Sequence, residues 1–290
     1  VKELPVRLPS QVAKPLLMSS VREEMGEFIK QRIDFYKDRI KQDRSIVDYW
    51  FDYHGRTLPT RADRQAFDAY RRDLKVLMRN PDRMIPELMT ACRQYERTTL
   101  LPSLPAESRK EFRSSLSAIK NIKLKVRGEA LGTILSKRRA ECAAALGMFC
   151  DPVSIIKSSL SKTLFFSTNV LPVATLVKFL EGKGFNPVLI YGGTNAQLTK
   201  LMTDFAEDPS VNPCCATMAS LSEAVPVIAA STVVLLNRPF RQGPWDQIVA
   251  RADRLGQKFP VTVIEVTLDT GDEPNVSSRT DEILKIVRMM

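Results

Sequence analysis

The second half of the chain sets five short apolar runs between stretches of helical period, and that alternation restricts the fold more than any other feature. The runs are Lys162–Ser167, Pro187–Tyr191, Cys214–Met218, Thr232–Leu236 and Val261–Leu268. They do not alternate apolar with polar residues, so each reads as a strand buried on both faces. Helix-like stretches separate them, such as Leu171–Leu180, which ends at Gly182-Lys-Gly184, and a segment running from Gly192-Gly193-Thr194 to about Glu207. Doubly buried strands joined by helices form parallel βαβ units, which predicts an α/β fold with a parallel sheet flanked by helices. In such a sheet, ligands sit beyond the carboxyl ends of the strands. The functional candidates are therefore Ser167-Thr168, Gly192–Thr194, Ala219–Glu223, Asn237–Phe240 and the helix that follows.

That helix contains QIVARADRLGQ, Gln247 to Gln257. Helical spacing puts Ile248, Ala252 and Leu255 on one apolar seam, with Gln247, Arg251 and Arg254 on the seam beside it. Gly256 is the expected stop. Guanidinium groups are permanently charged forks that match phosphate oxygens.

The first half has a different character. Ser20-Val-Arg-Glu23 is a capping-box pattern before a periodic run toward Lys41, and Thr60-Arg-Ala-Asp63 opens another run to about Arg79. Asn80-Pro81 opens a third, to about Arg97. Leu101–Pro105 reads as a break, and the helical stretch after it as interrupted near Arg127-Gly128. The expected division is a helical region over 1–150 and the sheet domain over 151–290. Residues 1–150 hold 30 Lys and Arg against 19 Asp and Glu, whereas 151–290 hold 13 against 14. The basic excess is densest from Arg109 to Arg139, where only Glu111 and Glu129 oppose ten basic residues. Such a segment suits a polyanion. Lys123, Lys125, Arg127, Lys137, Arg138 and Arg139 are its candidate nucleic-acid contacts. Aromatic residues are sparse there, so the implied mode is backbone contact rather than base stacking.

Several classes are disfavoured. No run of 18 apolar residues predicts a membrane span. No secretory leader pattern opens the chain, and the five cysteines are scattered and odd in number, which fits a reducing compartment. Cys92, Cys142, Cys150, Cys214 and Cys215 form no C-x-x-C pair, and His54 is the one histidine, so no metal site is expected. No G-x-x-x-x-G-K-[ST] loop is present; Gly128–Lys137 approaches it with the wrong spacing. A glycine-rich dinucleotide loop is likewise missing after the first run, which disfavours a small-molecule enzyme on a doubly wound sheet. If the arginines serve ATP, another domain must hold it.

Taken in order, KTLFFSTN, YGGT, STVVLL, QIVARADRLGQ and VTVIEVTL resemble the second RecA-like lobe of superfamily 2 helicases, and most closely Swi/Snf-type translocases and their bacteriophage relatives. The resemblance covers about residues 160–270. Its most specific part, Gln247 to Gln257, is similar to the family's motif VI. The resemblance implies a RecA-like parallel sheet preceded by an all-helical protrusion region between two lobes. It also implies that Arg251 and Arg254 are catalytic arginine fingers facing the γ-phosphate of ATP, with Gln247 and Glu223 contacting the nucleotide. Ser167, Thr168, Gly193, Thr194, Ser220 and Ser222 would touch nucleic acid, and the tail from Asp272 would brace lobe one.

The family's motif V is glycine-rich, whereas Ser220–Pro226 has no glycine. The expected function is the C-terminal half of an ATP-dependent DNA helicase or translocase, acting on double-stranded DNA. ATP and magnesium would be held mainly by an N-terminal lobe supplied in cis or in trans, and this chain alone would be inactive. The alternative is a non-catalytic RecA-like scaffold that binds nucleic acid or a partner protein. Either would work in the cytoplasm of a bacterium or phage-infected cell, or in a nucleus.

Overall fold

The computed structural model describes the chain except for residues 58–59, 80–85, 104–105, 121, 222–226, 240–241, 280–281 and 283–290; for some helical residues, Lys123 among them, only the backbone is described. The chain divides into two units, one formed by Val1–Glu23 with Ile134–Met290 and the other by Glu24–Thr133. This differs from a boundary at 150, because the chain's first strand and the helix before Cys150 belong with the sheet.

The sheet unit contains β1 (Lys2–Val6), β2 (Lys162–Ser167), β3 (Val188–Ile190), β4 (Cys214–Thr217), β5 (Ala230–Leu235) and β6 (Thr262–Leu268). They form one six-stranded sheet in the order β1-β6-β5-β2-β4-β3, and every pairing is parallel. The expected parallel α/β sheet is therefore present, with one strand more than the apolar runs predict. β1 escapes the apolar pattern because KELPV is short, mostly exposed and contains a proline. It is an edge strand, where the missing N–H of Pro5 is tolerated.

Besides short helical turns at Ser10–Ala13 and Leu101–Ser103, the α-helices of the described residues are α1 (Met18–Thr57), α2 (Arg61–Arg79), α3 (Pro86–Tyr95), α4 (Ala106–Lys120), α5 (Ile122–Ala130), α6 (Ser136–Phe149), α7 (Pro152–Ser158), α8 (Val170–Glu181), α9 (Leu198–Glu207) and α10 (Gln242–Ala252). Side chains alternate across β2, β4 and β5. Leu164, Phe166, Cys214, Ala216, Val233 and Leu235 join one core with Met202 and Phe205 of α9 and Ile248 and Ala252 of α10. The opposite face, with Phe165, Cys215 and Val234, is equally buried. There α6 packs on α8 and α8 on the sheet. Gly147 lets α6 approach closely, since a Cβ at that position would lie 3.3 Å from Leu236 Cδ1.

In the other unit, Tyr36, Phe67, Tyr70, Leu74, Cys92, Phe112, Ile122 and Val126 form the core. Thr60 caps α2 as predicted, its Oγ1 accepting from Asp63 N at 3.1 Å. The proposed cap at Ser20 does not start α1, which begins two residues earlier because Pro274 O accepts the Met18 N–H at 2.8 Å. The Asn80-Pro81 start lies outside the described residues. The helical chain runs on through a π-helical turn to Ser103, inside the expected Leu101–Pro105 break, whose last two residues lie outside the described ones, and Arg127-Gly128 lies inside α5. The interruption comes instead as a second π-helical turn, Leu131–Leu135. No described helix is long and apolar enough to cross a membrane.

Candidate functional site

The strand order reverses around β2. The chain leaves β2 for β3 and returns to β4 on one side, then crosses to β5 on the other. The carboxyl ends of β2, β4 and β5 are therefore the switch point of the sheet, where open α/β folds place their ligands. A cleft of ≈ 270 Å³ opens there, lined by Thr168 after β2, by Met218, Ala219 and Leu221 after β4, by Pro239 after β5, and by Gln247, Ile248 and Arg251 of α10.

Burial of Ile248 and Ala252 seats α10 on the core and carries Arg251 to the cleft. Arg251 is 7% exposed, and burial first, then the charge of Arg254, lowers its guanidinium below the usual arginine value. Gln247 and Arg254 are exposed. The predicted seam fails at its last member, because α10 ends at Ala252 and Leu255 is fully exposed. The reason lies in the last helical carbonyls. Val227 N donates to Arg251 O, and the Gln257 side-chain amide donates to Ala252 O at 3.0 Å and to Ala230 O at 2.9 Å. Gly256 follows at φ +103°. Arg254 thus lies in a turn beyond the helix, with its Nε donating back to Ala250 O at 3.3 Å.

Asn237, the second residue after β5, ties the next β-end to the cleft. Its Oδ1 accepts from Thr168 N at 2.9 Å and from Ser167 Oγ at 3.1 Å, and its Nδ2 donates to Thr168 Oγ1 at 2.6 Å. Ser167 is fully buried, and its Oγ accepts from Asn169 N at 3.1 Å. Arg238 then makes a two-point ion pair with buried Glu265, at 2.6 and 2.8 Å.

The other predicted contacts are dispersed. The Thr194 hydroxyl is engaged within its own turn, accepting from Tyr191 N and donating to Tyr191 O, and the Tyr191 ring lies against Gly193. Neither residue lines the cleft. Ser220 is buried, its Oγ 2.8 Å from Thr217 Oγ1, while Ser222 and Glu223 lie outside the described residues. Lys125 and Arg127 are exposed on the helical unit, with Lys125 Nζ 5.1 Å from the centre of the Tyr36 ring. Lys137, Arg138 and Arg139 belong to the sheet unit, where Glu141 pairs with Arg138 at 2.7 Å and Lys137 at 3.9 Å. Arg139 donates to Arg238 O at 3.1 Å.

The described start of the tail packs against the end of β6: Asn275 Nδ2 donates to Leu268 O and Thr270 Oγ1, and Val276 is buried. Among the described residues, no three His, Cys, Asp or Glu side chains gather as a metal site. Sequence reasoning missed Asn237 as a clamp and Arg238–Glu265 as a pair. A polar Asn-Arg step after a wholly apolar strand was the available signal.

No family model matches the chain, and no curated protein matches it. Among solved structures, the C-terminal part of the Fun30 ATPase domain aligns with 99% of this chain and 95% of its own, at 13% identity and a TM-score of 0.44. The E. coli DEAD-box protein SrmB, bound to regulator of ribonuclease activity A, aligns with 44% of this chain and 72% of its own, at 20% identity and a TM-score of 0.37.

Proposed function

We propose that the chain is the C-terminal half of an ATP-dependent DNA helicase or translocase. The observation that carries this reading is the meeting of Thr168, Gln247 and Arg251 around one cleft at the switch point of the sheet, with Arg254 exposed in the turn next to it. A fixed cation in a partly desolvated setting stabilises charge on a transferring phosphoryl group far better than one in water. Arg254, exposed and tied back only by a 3.3 Å bond from its Nε to Ala250 O, would turn its terminal nitrogens toward a triphosphate held by an N-terminal lobe, and Arg251 would hold positive potential behind it. ATP and magnesium would be held mainly by that lobe; from this chain the donors that fit the triphosphate are Arg254, Arg251 and Gln247. Thr168 and the basic helices would face the nucleic acid, double-stranded DNA in this reading.

The test is ATP turnover by this chain joined to its N-terminal lobe. Arg254→Ala should lower turnover by a factor on the order of 10³ or more, and the chain alone should hydrolyse nothing. Near-normal turnover in the variant would end the arginine-finger assignment. A joined protein that binds nucleic acid but never hydrolyses ATP would favour the scaffold reading, which the glycine-free Ser220–Pro226 segment supports.

A further inference from the structure

The hydrogen bonds around Asn237 fix more than the shape of a turn. The Thr168 N–H can only donate, so the atom it meets at 2.9 Å must be the amide oxygen of Asn237. The nitrogen of the same amide is therefore the atom 2.6 Å from Thr168 Oγ1, and there the hydroxyl must accept. A hydroxyl that accepts from Asn237 has its own proton directed elsewhere. No acceptor for that proton is present among the described residues, and Thr168 lines the cleft that also contains Arg251. The Ser167 hydroxyl, in contrast, is spent between Asn169 N and Asn237 Oδ1.

We infer that Asn237 is a positioning residue, which holds the Thr168 hydroxyl as a donor to a phosphodiester oxygen of a bound nucleic-acid strand. This rests on the nucleic-acid reading above and gives it a single atom.

The test is fluorescence anisotropy of a labelled DNA duplex, and of one of its strands, with the 290-residue chain. In parallel, a fluorescent ATP analogue is titrated against the same proteins. Thr168→Val, which keeps the shape but removes the hydroxyl, should weaken DNA binding about tenfold, the scale of one hydrogen bond to a charged acceptor. Thr168→Ser should recover most of that loss. Asn237→Asp should weaken binding at least as much, because a carboxylate draws the hydroxyl proton back toward itself. Combining Thr168→Val with Asn237→Leu should cost no more than the larger single effect, a non-additivity that a merely structural role would not produce.

Circular dichroism and thermal midpoints normalise each variant for folding. If Asn237→Leu does not fold, the Thr168→Val and Asn237→Asp pair decides. Unchanged DNA affinity in Thr168→Val overturns the inference while leaving the function intact. A loss confined to the ATP analogue also overturns it, assigning the donor to the nucleotide. Failure of the unaltered chain to bind either DNA form overturns both.

Discussion

Arg251 and Arg254 carry the same charge in different surroundings. One is almost wholly buried at the cleft wall and the other stands in solvent. That difference comes from where α10 ends and which of its faces is buried, and no spacing rule reports it. The same contrast governs a carboxylate in the helical unit. Burial pushes the Glu129 carboxyl up, but hydrogen bonds from the Tyr36 hydroxyl and Arg32, with the nearby charges of Arg32 and Lys125, hold it below the usual glutamate value. A depressed carboxyl stabilises the fold above its unfolded pKa, and that contribution fades as pH falls through the folded one. Glu129→Gln should therefore lose stability by a constant amount above about pH 5.5. The difference from the unaltered protein should shrink on further acidification. Urea midpoints measured across that range check the sign.

The elements were legible where burial imposes a pattern. Four of the five apolar runs became β2, β4, β5 and β6, inner strands of the sheet, and the fifth became β3 at one edge, where Val188 and Ile190 are still buried. β1, at the other edge, was illegible because most of its residues are exposed, so KELPV leaves no apolar mark. The site shows the same limit. The spacing of Gln247 and Arg251 placed both on α10, yet Arg254 and Leu255 were misplaced because the stop signal comes from elsewhere, in Val227 and the Gln257 side chain. Thr168 was readable as a residue after a strand, but its partner Asn237 lies 69 positions away.

The turn after α10 is itself open to test. Gly256 sits at φ +103°, where side-chain-bearing residues are strained, although a Cβ would make only an ordinary 3.4 Å contact with Ile228. Gly256→Ala should cost about 1–3 kcal/mol of unfolding free energy from the backbone alone. A change below a few tenths would show that the turn relaxes. Because the turn carries Arg254, any ATP turnover in the joined protein should fall with it.

At the scale of the whole molecule, the two units carry separate reporters. Cys92 lies in the helical unit, and Cys142, Cys150, Cys214 and Cys215 lie in the sheet unit; all five are free thiols and buried. Burial pushes the Cys142 and Cys150 thiols up to about 12 and raises Cys214 and Cys215 as well. Since the thiolate is the reactive form, alkylation at mildly alkaline pH should be negligible in native protein. On titration with denaturant, mass spectrometry of the labelled peptides should show Cys92 modified on its own schedule, with the other four reacting together. Rapid labelling of any of the five without denaturant would contradict the burial.

One consequence concerns synthesis. Lys2 pairs with Ile264 and Val6 with Leu268, so β1 waits for β6, far later in the chain, before it has a neighbour. A ribosome must make every residue between these two strands before that edge can close. Until then β1 offers unpaired amides to any passing chain, and its short length and Pro5 limit the risk of mispairing during the wait.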